Sequence, residues 1–278
     1  MIFLRFQMKI KKLHNSIEIE DFGSFDLGLS VDCGQSFRWA QKADGRWCAV
    51  VGSRYLEAEQ HGDKLIFYTD ESEFEGFWRD YFDLDTDYAA ICKKLSTDQH
   101  LKAATAACPG IHILRQEPWE ALCSFIISQN NNIPRIKGII DRLCEAFGEK
   151  TDFGCTFPSA ERLAVLEPED LAPLRAGFRA KYIIDAARKV SNNEVDFEKI
   201  KKEPIEFGRE ELQKIKGVGA KVAECTLLYG FYKVEAFPVD VWVRRIMEEM
   251  YPDGFPECAD KVQGIAQQYL FHWRRTCF

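Results

Sequence analysis

Short alternating hydrophobic and polar runs fill the first part of the chain and predict an antiparallel β-sheet. The runs are rich in aromatic and β-branched residues, and turn signals separate them at residues 43–45, 52–53 and 61–63. We therefore expect a meander of about four strands, formed by SFRWAQ (36–41), RWCAVV (46–51), YLEAEQ (55–60) and LIFYTD (65–70). After Tyr68 the apolar spacing becomes helical, over FEGFWRDYF and YAAICKKL.

From about residue 113 onward, apolar residues recur every three or four positions and predict helices. The first helix opens at Pro118 and ends at NNN (130–132), because asparagine favours turns and caps over helix interiors. The next, IPRIKGIIDRLCEAFG, should end at Gly148 with a glycine cap. We expect Ser159 to cap another helix, and YIIDAARKV (182–190) to form a further one.

The stretch KIKGVGAKVAEC (214–225) places two glycines between two segments of helical spacing. A helix, a tight glycine turn and a second helix are therefore predicted over about residues 209–230. Such a turn exposes backbone N–H groups at a helix start, where the dipole favours phosphate. An ordinary helix–helix connection is the alternative. A dinucleotide fingerprint and a P-loop are both excluded, because Val222 replaces a small residue and no Gly-Lys-Ser/Thr occurs.

Lys221 and Asp240 are the candidates for chemistry. Lys221 falls in the first turn of the second helix, where the dipole disfavours an ammonium and favours the neutral amine that a nucleophile needs. A solvated or phosphate-contacting lysine is the commoner alternative. Asp240 follows Pro238 and precedes an apolar run, so it is expected to cap a helix. A capping carboxylate can also stabilise positive charge in a cleft, and the residues alone leave both roles open.

Composition narrows the classes of protein. No apolar run is long enough to span a membrane, and MIFLRFQMKIKK does not resemble a signal peptide, although Met8 is an alternative start. The ten cysteines form no C-x-x-C pair, which disfavours zinc and iron–sulfur sites and suits thiols in a reducing cytosol. The net charge of −7 is unfavourable for binding to nucleic acid. However, basic residues gather in RAGFRAKYIIDAARK (175–189) and around the glycine turn, which keeps DNA binding open.

Separated motifs together resemble the helix-hairpin-helix glycosylase superfamily and, more narrowly, the 8-oxoguanine DNA glycosylases. The motifs are CGQSFRW (33–39), SQNNNIPRIKGIIDRLCEAFG (128–148), GFRAKY (177–182), KGVGAKVAEC (216–225), FPVDVWVRRI (237–246) and AQQYLF (266–271). The resemblance implies an α+β fold, with a TBP-like antiparallel β domain (1–112) packed on an α-helical domain (113–278). It implies a bifunctional DNA glycosylase and abasic-site lyase of base excision repair, and the size suggests a bacterial or archaeal member.

The same resemblance assigns roles to individual residues. Lys221 would be the nucleophile that attacks C1′, and Asp240 would stabilise positive charge at the sugar. Gly34 would recognise the oxidised base through its carbonyl, with Gln267 reading the base edge and Cys225 and Phe271 sandwiching the ring. The DNA-binding residues would be Asn130, Arg135, Phe178, Arg179, Gly217, Val218, Gly219 and Trp242. Without the resemblance, Phe271 and Cys225 are interpreted as core residues, Gly34 as a bend after a strand and Asn130 as a helix cap. Arg135 and Arg179 are then interpreted as solvated or phosphate-contacting.

The resemblance implies no required cofactor, although a monovalent or calcium ion could be held by the carbonyls of Gln213, Ile215 and Val218. The expected partner is double-stranded DNA containing 8-oxoguanine, bound by a cytoplasmic, nucleoid-associated monomer. Phe178 occupies the position of a tyrosine in the family, and Trp242 the position of a histidine in its eukaryotic members. The sequence therefore leaves open how strictly the enzyme requires cytosine opposite the lesion. The cysteine spacing argues against membership of the thymine-glycol glycosylases. Lys221 argues against membership of the alkylation-repair glycosylases. A non-enzymatic hairpin module would need neither Asp240 nor Gln267.

Overall fold

The structure is a computed structural model that describes residues 8–277. Residues 1–7, which precede the alternative start at Met8, lie outside the described residues. The chain forms two compact units. The first holds the residues up to Ala49, Leu56–Arg115 and those from Val239 onward, and the second holds Val50–Tyr55 and Gln116–Pro238. These units are not the two continuous segments of the sequence-based division at residue 112, which stays a prediction.

A six-stranded sheet confirms the antiparallel β domain and the α+β class. Its strands are β1 (Lys9–Lys12), β2 (Ile17–Glu20), β3 (Ala40–Gln41), β4 (Trp47–Val51), β5 (Arg54–His61) and β6 (Lys64–Phe67), in the order β1-β2-β6-β5-β4-β3. In β2, Ile17 and Ile19 are buried opposite Phe67 and Leu65 of β6, whereas Glu18 is partly exposed and Glu20 is exposed. This alternation buries one face of the strand.

The prediction of a strand over residues 36–41 is largely wrong, because only Ala40–Gln41 is a strand. The preceding residues form bends that follow a short helix. The buried Gln35 side chain donates to the carbonyls of Ser30 and His112 at 2.8 and 2.7 Å and accepts from the Leu114 N–H at 2.9 Å. The bonds to His112 and Leu114, which are distant in the sequence, outweigh the local β preference of the run. The strands β1 and β2 were not predicted.

Helices fill the remainder of the described chain. They are α1 (Leu27–Asp32), α2 (Glu71–Glu73), α3 (Arg79–Tyr81), α4 (Tyr88–Leu95), α5 (Gln99–Ala107), α6 (Pro118–Ser128), α7 (Ile133–Phe147), α8 (Ala160–Ala164), α9 (Ala180–Ser191), α10 (Phe197–Lys202), α11 (Ile205–Gln213), α12 (Ala220–Gly230), α13 (Val241–Met250) and α14 (Gln263–Cys277). A π-helix, Phe74–Trp78, joins α2 to α3, and a short hairpin of β7 (Lys150–Thr151) and β8 (Gly154–Cys155) follows α7. No helix in residues 8–277 has the length and apolar character needed to cross a membrane.

In the first unit, α14 packs against α5 and α13, and its Tyr269 is buried and donates to the Ile111 carbonyl at 2.9 Å. In the second unit, α6 packs along α12, and every residue from Trp119 to Ile127 is buried. A helix that is buried on all sides lies in the centre of a core. The core of the second unit therefore forms around α6.

Local capping signals place the ends of several helices as predicted. Pro118 occupies the first turn of α6, and Ser159 caps α8 by accepting from the Arg162 N–H at 3.2 Å. Asn132, the last of the three asparagines, caps α7. The helix α7 ends at Gly148, but its φ of −76° is not a left-handed glycine cap. Glycine is needed there for space, because a Cβ would lie 2.0 Å from the Thr156 carbonyl oxygen.

Candidate active site

The predicted glycine turn joins α11 to α12. Gly217 has a φ of +80°, and a Cβ at this position would lie 2.3 Å from the ring of Tyr182. Both features demand glycine. At Gly219, the N-cap of α12, a Cβ would meet nothing within 4 Å. Because Gly219 is exposed, the first N–H groups of α12 are accessible to an anion.

One face of α9 holds the backbone of this turn. Asp185 Oδ2 accepts from the Lys216 N–H at 2.8 Å and from Lys189 Nζ at 3.0 Å. Lys189 Nζ also donates to the Lys214 carbonyl at 2.6 Å. Tyr182, Asp185 and Lys189 lie on the same helical face, so α9 fixes the conformation that presents the N-terminus of α12.

Lys221 lies in the first turn of α12, as predicted, and is half-buried. Its Nζ donates to Ser128 Oγ at 3.1 Å and lies 5.2 Å from the centre of the Phe125 ring. Ser128 is the last residue of α6. The amine is therefore held over the end of α6 and does not extend into solvent.

The next turn of α12 carries Glu224 and Cys225. Cys225 is buried. Glu224 pairs with Arg209, and its Oε2 accepts from the Phe237 N–H at 2.6 Å. The helix that bears Lys221 is thus tied to α11 and to the segment that precedes Pro238.

The loop after α6 contains Asn130, which is exposed and has a φ of +47°. Arg179 is only 3% exposed, and its guanidinium donates to the carbonyls of Gln129 and Asn130 and, at 3.1 Å, to that of Ala176. Desolvation, and then the nearby charge of Arg135, lowers the pKa of Arg179. The interpretation of Arg179 as a solvated residue is therefore wrong, because its charge supports the Asn130 loop.

Other predicted DNA-binding side chains of the second unit lie at the surface. Arg135 is exposed in the first turn of α7. Phe178 is 49% exposed and contacts the Tyr182 ring edge-on at 5.8 Å. The Arg179 guanidinium lies 4.5 Å from the centre of the Phe178 ring. A large exposed aromatic residue beside basic groups is suited to contact with nucleic acid bases.

In the first unit, Asp240 is the N-cap of α13, as the sequence predicts. Its Oδ1 accepts from the Val243 N–H at 2.8 Å, and its Oδ2 has no hydrogen-bond partner among the described residues. The cap therefore uses half of the carboxylate and leaves one oxygen for another role. Trp242 is 40% exposed, and the Arg245 guanidinium lies 5.7 Å from its ring.

The predicted base-recognition residues of the first unit lie on α14 and on the bend after α1. Gly34 has a φ of +93°, so the bend requires glycine, although it follows a helix and not a strand. Gln267 and Phe271 are one turn apart on α14, and Phe271 is half-buried. Gln267 is 4% exposed, and its Oε1 is buried without a hydrogen-bond partner in residues 8–277. A buried amide oxygen without a donor is costly unless a ligand supplies one.

Comparison with known proteins shows the family of this chain. Residues 18–122 match the N-terminal domain of 8-oxoguanine DNA glycosylase, and residues 123–264 match the HhH-GPD superfamily of base excision DNA repair proteins. The solved structure of Clostridium acetobutylicum 8-oxoguanine glycosylase/lyase with double-stranded DNA containing cytosine opposite 8-oxoguanine has a TM-score of 0.91. It is 37% identical and covers 98% of this chain and 99% of that one. The chain belongs to the 8-oxoguanine DNA glycosylase family.

Two curated relatives agree with membership of the 8-oxoguanine DNA glycosylase family. The probable N-glycosylase/DNA lyase of Methanothermobacter thermautotrophicus is 32% identical over 70% of this chain and 72% of its own length. The N-glycosylase/DNA lyase of Saccharomyces cerevisiae is 38% identical over 62% of this chain. That second match spans 50% of the yeast protein. The resemblance seen in the sequence motifs is thus confirmed.

The expected site residues of an 8-oxoguanine DNA glycosylase occur in both units. Lys221 and Cys225 belong to the second unit, and Gly34, Asp240, Gln267 and Phe271 to the first. The sequence interpretation missed two residues that contact or support this set. Glu224 could have been noticed as a carboxylate in the otherwise apolar run AKVAECTLLYG. Ser128 gave no such signal, because it is far from Lys221 in the sequence.

Proposed function

We propose that this chain removes 8-oxoguanine from duplex DNA and then cuts the strand at the resulting abasic site. The observation that carries the proposal is the position of Lys221. Its amine is directed by Ser128, and it projects from the helix whose exposed N-terminus follows the glycine turn. Family membership supplies the reaction class, and these residues supply the groups that the reaction needs.

The proposed chemistry starts when the damaged nucleotide is flipped out of the helix, which costs a few kcal/mol of unstacking. The neutral amine of Lys221 attacks C1′, and the bond from C1′ to N9 breaks, with its electron pair leaving on the base. Asp240 stabilises the positive charge that develops at the sugar, through the carboxylate oxygen not used for capping. Loss of a proton and opening of the sugar give a Schiff base. Loss of the C2′ proton then expels the 3′ phosphate by β-elimination.

Recognition of the lesion is proposed to depend on one hydrogen. The N7 of 8-oxoguanine carries a hydrogen and donates, whereas the N7 of guanine is an acceptor and would face a carbonyl lone pair to lone pair. The Gly34 carbonyl is the proposed acceptor. The Oε1 of Gln267, which has no donor within the described part of the chain, supports a role at the base edge, since the N1–H and amino group of the base would supply one. Cys225 and Phe271 are proposed to enclose the ring.

The DNA contacts follow from exposed groups. Asn130, Arg135 and Phe178 are proposed to fill the space left by the flipped base and to contact the orphaned cytosine. Arg179 is proposed either to hold the loop that carries Asn130 or to contact the cytosine as well. The exposed N-terminus of α12, at Gly217 to Gly219, is proposed to bind a backbone phosphate, and Trp242 to lie near another. A monomer that acts on the nucleoid in the cytoplasm completes the proposal.

A cation at the hairpin is proposed only as a structural aid. Its ligands would be the carbonyls of Gln213, Ile215 and Val218, neutral oxygens of the kind that calcium and monovalent ions accept. The Ile215 carbonyl accepts from the Val218 N–H at 3.1 Å and keeps a second lone pair for an ion. Such an ion would supply positive charge near a DNA phosphate.

Borohydride trapping on a duplex containing 8-oxoguanine tests the proposal. The wild-type chain should form a covalent adduct, and Lys221→Gln should form none. Asp240→Asn keeps the helix cap, because asparagine caps as well as aspartate, but removes the negative charge. We expect its melting temperature to be unchanged and its excision rate to fall about 100-fold. Binding of the lesion duplex without any wild-type adduct would rule out the lyase mechanism.

The same duplex with each of the four bases opposite the lesion tests the contacts to the orphaned base. A strong preference for cytosine is expected if Phe178 serves as well as a tyrosine. Arg135→Ala should then reduce this preference, because an arginine fork reads base edges. Equal excision opposite all four bases would refute the assignment of these residues to cytosine.

A further inference from the structure

The Lys221 amine has a single hydrogen-bond acceptor among the described residues, the hydroxyl of Ser128 at 3.1 Å. The two residues lie on different helices, at the end of α6 and the start of α12. The amine also contacts the Phe125 ring, whose centre lies 5.2 Å from Nζ. The direction of the amine is therefore set by the terminal turn of α6.

The Ser128 hydroxyl cannot turn freely. It donates its proton to the Phe125 carbonyl at 2.8 Å, in the same turn of α6. A hydroxyl has one proton and two lone pairs, so the bond to the carbonyl leaves only lone pairs for Lys221. Hydrogen bonds thus run in one direction, from the Lys221 amine to Ser128 and from Ser128 to the backbone.

We propose that Ser128 is a positioning residue for the nucleophile, which aims the Lys221 amine and holds it ready for attack. This inference rests on the proposed role of Lys221. A lysine side chain has many rotamers, and only those that bring Nζ within about 3–3.5 Å of the reacting carbon are productive. By accepting one N–H of the amine, Ser128 restricts these rotamers and does not itself take a proton in the reaction.

The loop that begins after Ser128 is fixed as well. Arg179 holds the carbonyls of Gln129 and Asn130. Ser128 therefore connects the amine to a segment that also carries Asn130, a proposed DNA contact. The amine and this contact share one rigid support.

Trapping of the full chain on a duplex with a preformed abasic site tests the inference, because Schiff-base formation there needs Lys221 but no base recognition. Ser128→Ala should lower the single-turnover trapping rate about tenfold, the effect of one hydrogen bond to an amine. The enzyme concentration at half-maximal rate should stay within about twofold of wild type, because positioning acts on the chemical step. Ser128→Thr keeps the hydroxyl and should restore most of the rate.

Ser191→Ala is the matched control. Ser191 is also the last residue of its helix, α9, and its hydroxyl also donates to the carbonyl three residues earlier, that of Arg188, at 3.1 Å. We expect this variant to trap at the wild-type rate, and all variants should be compared below their melting temperatures. A wild-type rate in Ser128→Ala, or a Ser128→Thr rate as low as that of Ser128→Ala, would overturn the inference.

A parallel duplex with 8-oxoguanine separates this inference from the proposed function. If the wild-type chain traps abasic DNA but releases no 8-oxoguanine, the proposed substrate is wrong, and the comparison on abasic DNA still decides the role of Ser128. If the wild-type chain forms no adduct with abasic DNA, both the nucleophile and its positioning residue are refuted.

Discussion

Replacing Gly217 by alanine should destabilise the protein more than any other single methyl added to the glycine turn. The residue has a φ of +80°, a left-handed conformation that costs about 1–2 kcal/mol for alanine. The new Cβ would lie 2.3–2.5 Å from three ring atoms of Tyr182, and overpacking of this kind costs about 1–3 kcal/mol. The expected loss is thus about 2–5 kcal/mol, or a fall in melting temperature of roughly 5–15 °C.

Gly219→Ala is the control for Gly217→Ala. Its φ of −96° suits alanine, and its Cβ would meet nothing within 4 Å, so we expect a loss of less than about 1 kcal/mol. The added methyl would instead obstruct an anion at the exposed N-terminus of α12, and binding of undamaged duplex should weaken. Thermal unfolding and fluorescence anisotropy measure the two effects. A melting temperature of Gly217→Ala within about 2 °C of wild type would refute the close packing inferred for the turn.

Two further predictions concern buried polar groups. Glu224→Ala should cost about 1–3 kcal/mol in chemical denaturation, because Arg209, which is 35% exposed, and the Phe237 N–H lose their shared partner. Glu206→Ala, which removes a 70% exposed partner of the same arginine, should cost less than about 0.5 kcal/mol, and equal losses would contradict this account. Burial lowers the pKa of His112 to about 3, below its unfolded value near 6.5, so the unfolded chain binds the extra proton between these pH values. The contribution of His112 to the free energy of unfolding is complete above about pH 6.5, and it should fall by up to about 1.4 kcal/mol per pH unit toward pH 3. The melting temperature of His112→Phe should therefore fall less steeply than that of wild type over this range, and an equally steep fall would contradict the prediction.

The helical part of the fold could be predicted from local patterns. Pro118, Ser159 and Asp240 mark helix starts by chemistry within a few residues, and the glycine turn is recognisable because two helical periodicities meet at it. The local pattern predicts a strand over SFRWAQ, and this prediction is wrong because bonds from the preceding Gln35 to distant backbone atoms constrain this segment. Such bonds leave no trace in a local window.

Site residues could be predicted from the sequence where the residue type itself suggests a chemical role. Contacts between segments that are distant in the sequence could not be predicted. Lys221 and Asp240 drew attention as an amine and a carboxylate at helix starts. The restraint of the amine by Ser128, and the burial of Arg179 on the Asn130 loop, depend on packing between helices far apart in sequence. The sequence does not indicate that the Gln267 side-chain oxygen is buried without a donor among the residues that the structure describes.

The division of the chain into interrupted units has a consequence for synthesis. The second unit is nearly continuous, so most of it can fold as soon as Pro238 has left the ribosome. The first unit needs the segment that begins at Val239, whose Tyr269 bonds to the Ile111 carbonyl. The packing of α5 and Ile111 against α14 must therefore wait for the last helix to be made. This delay leaves the face of α5 that packs on α14 exposed until the last helix is made, and a transiently exposed face of this kind is what chaperones protect.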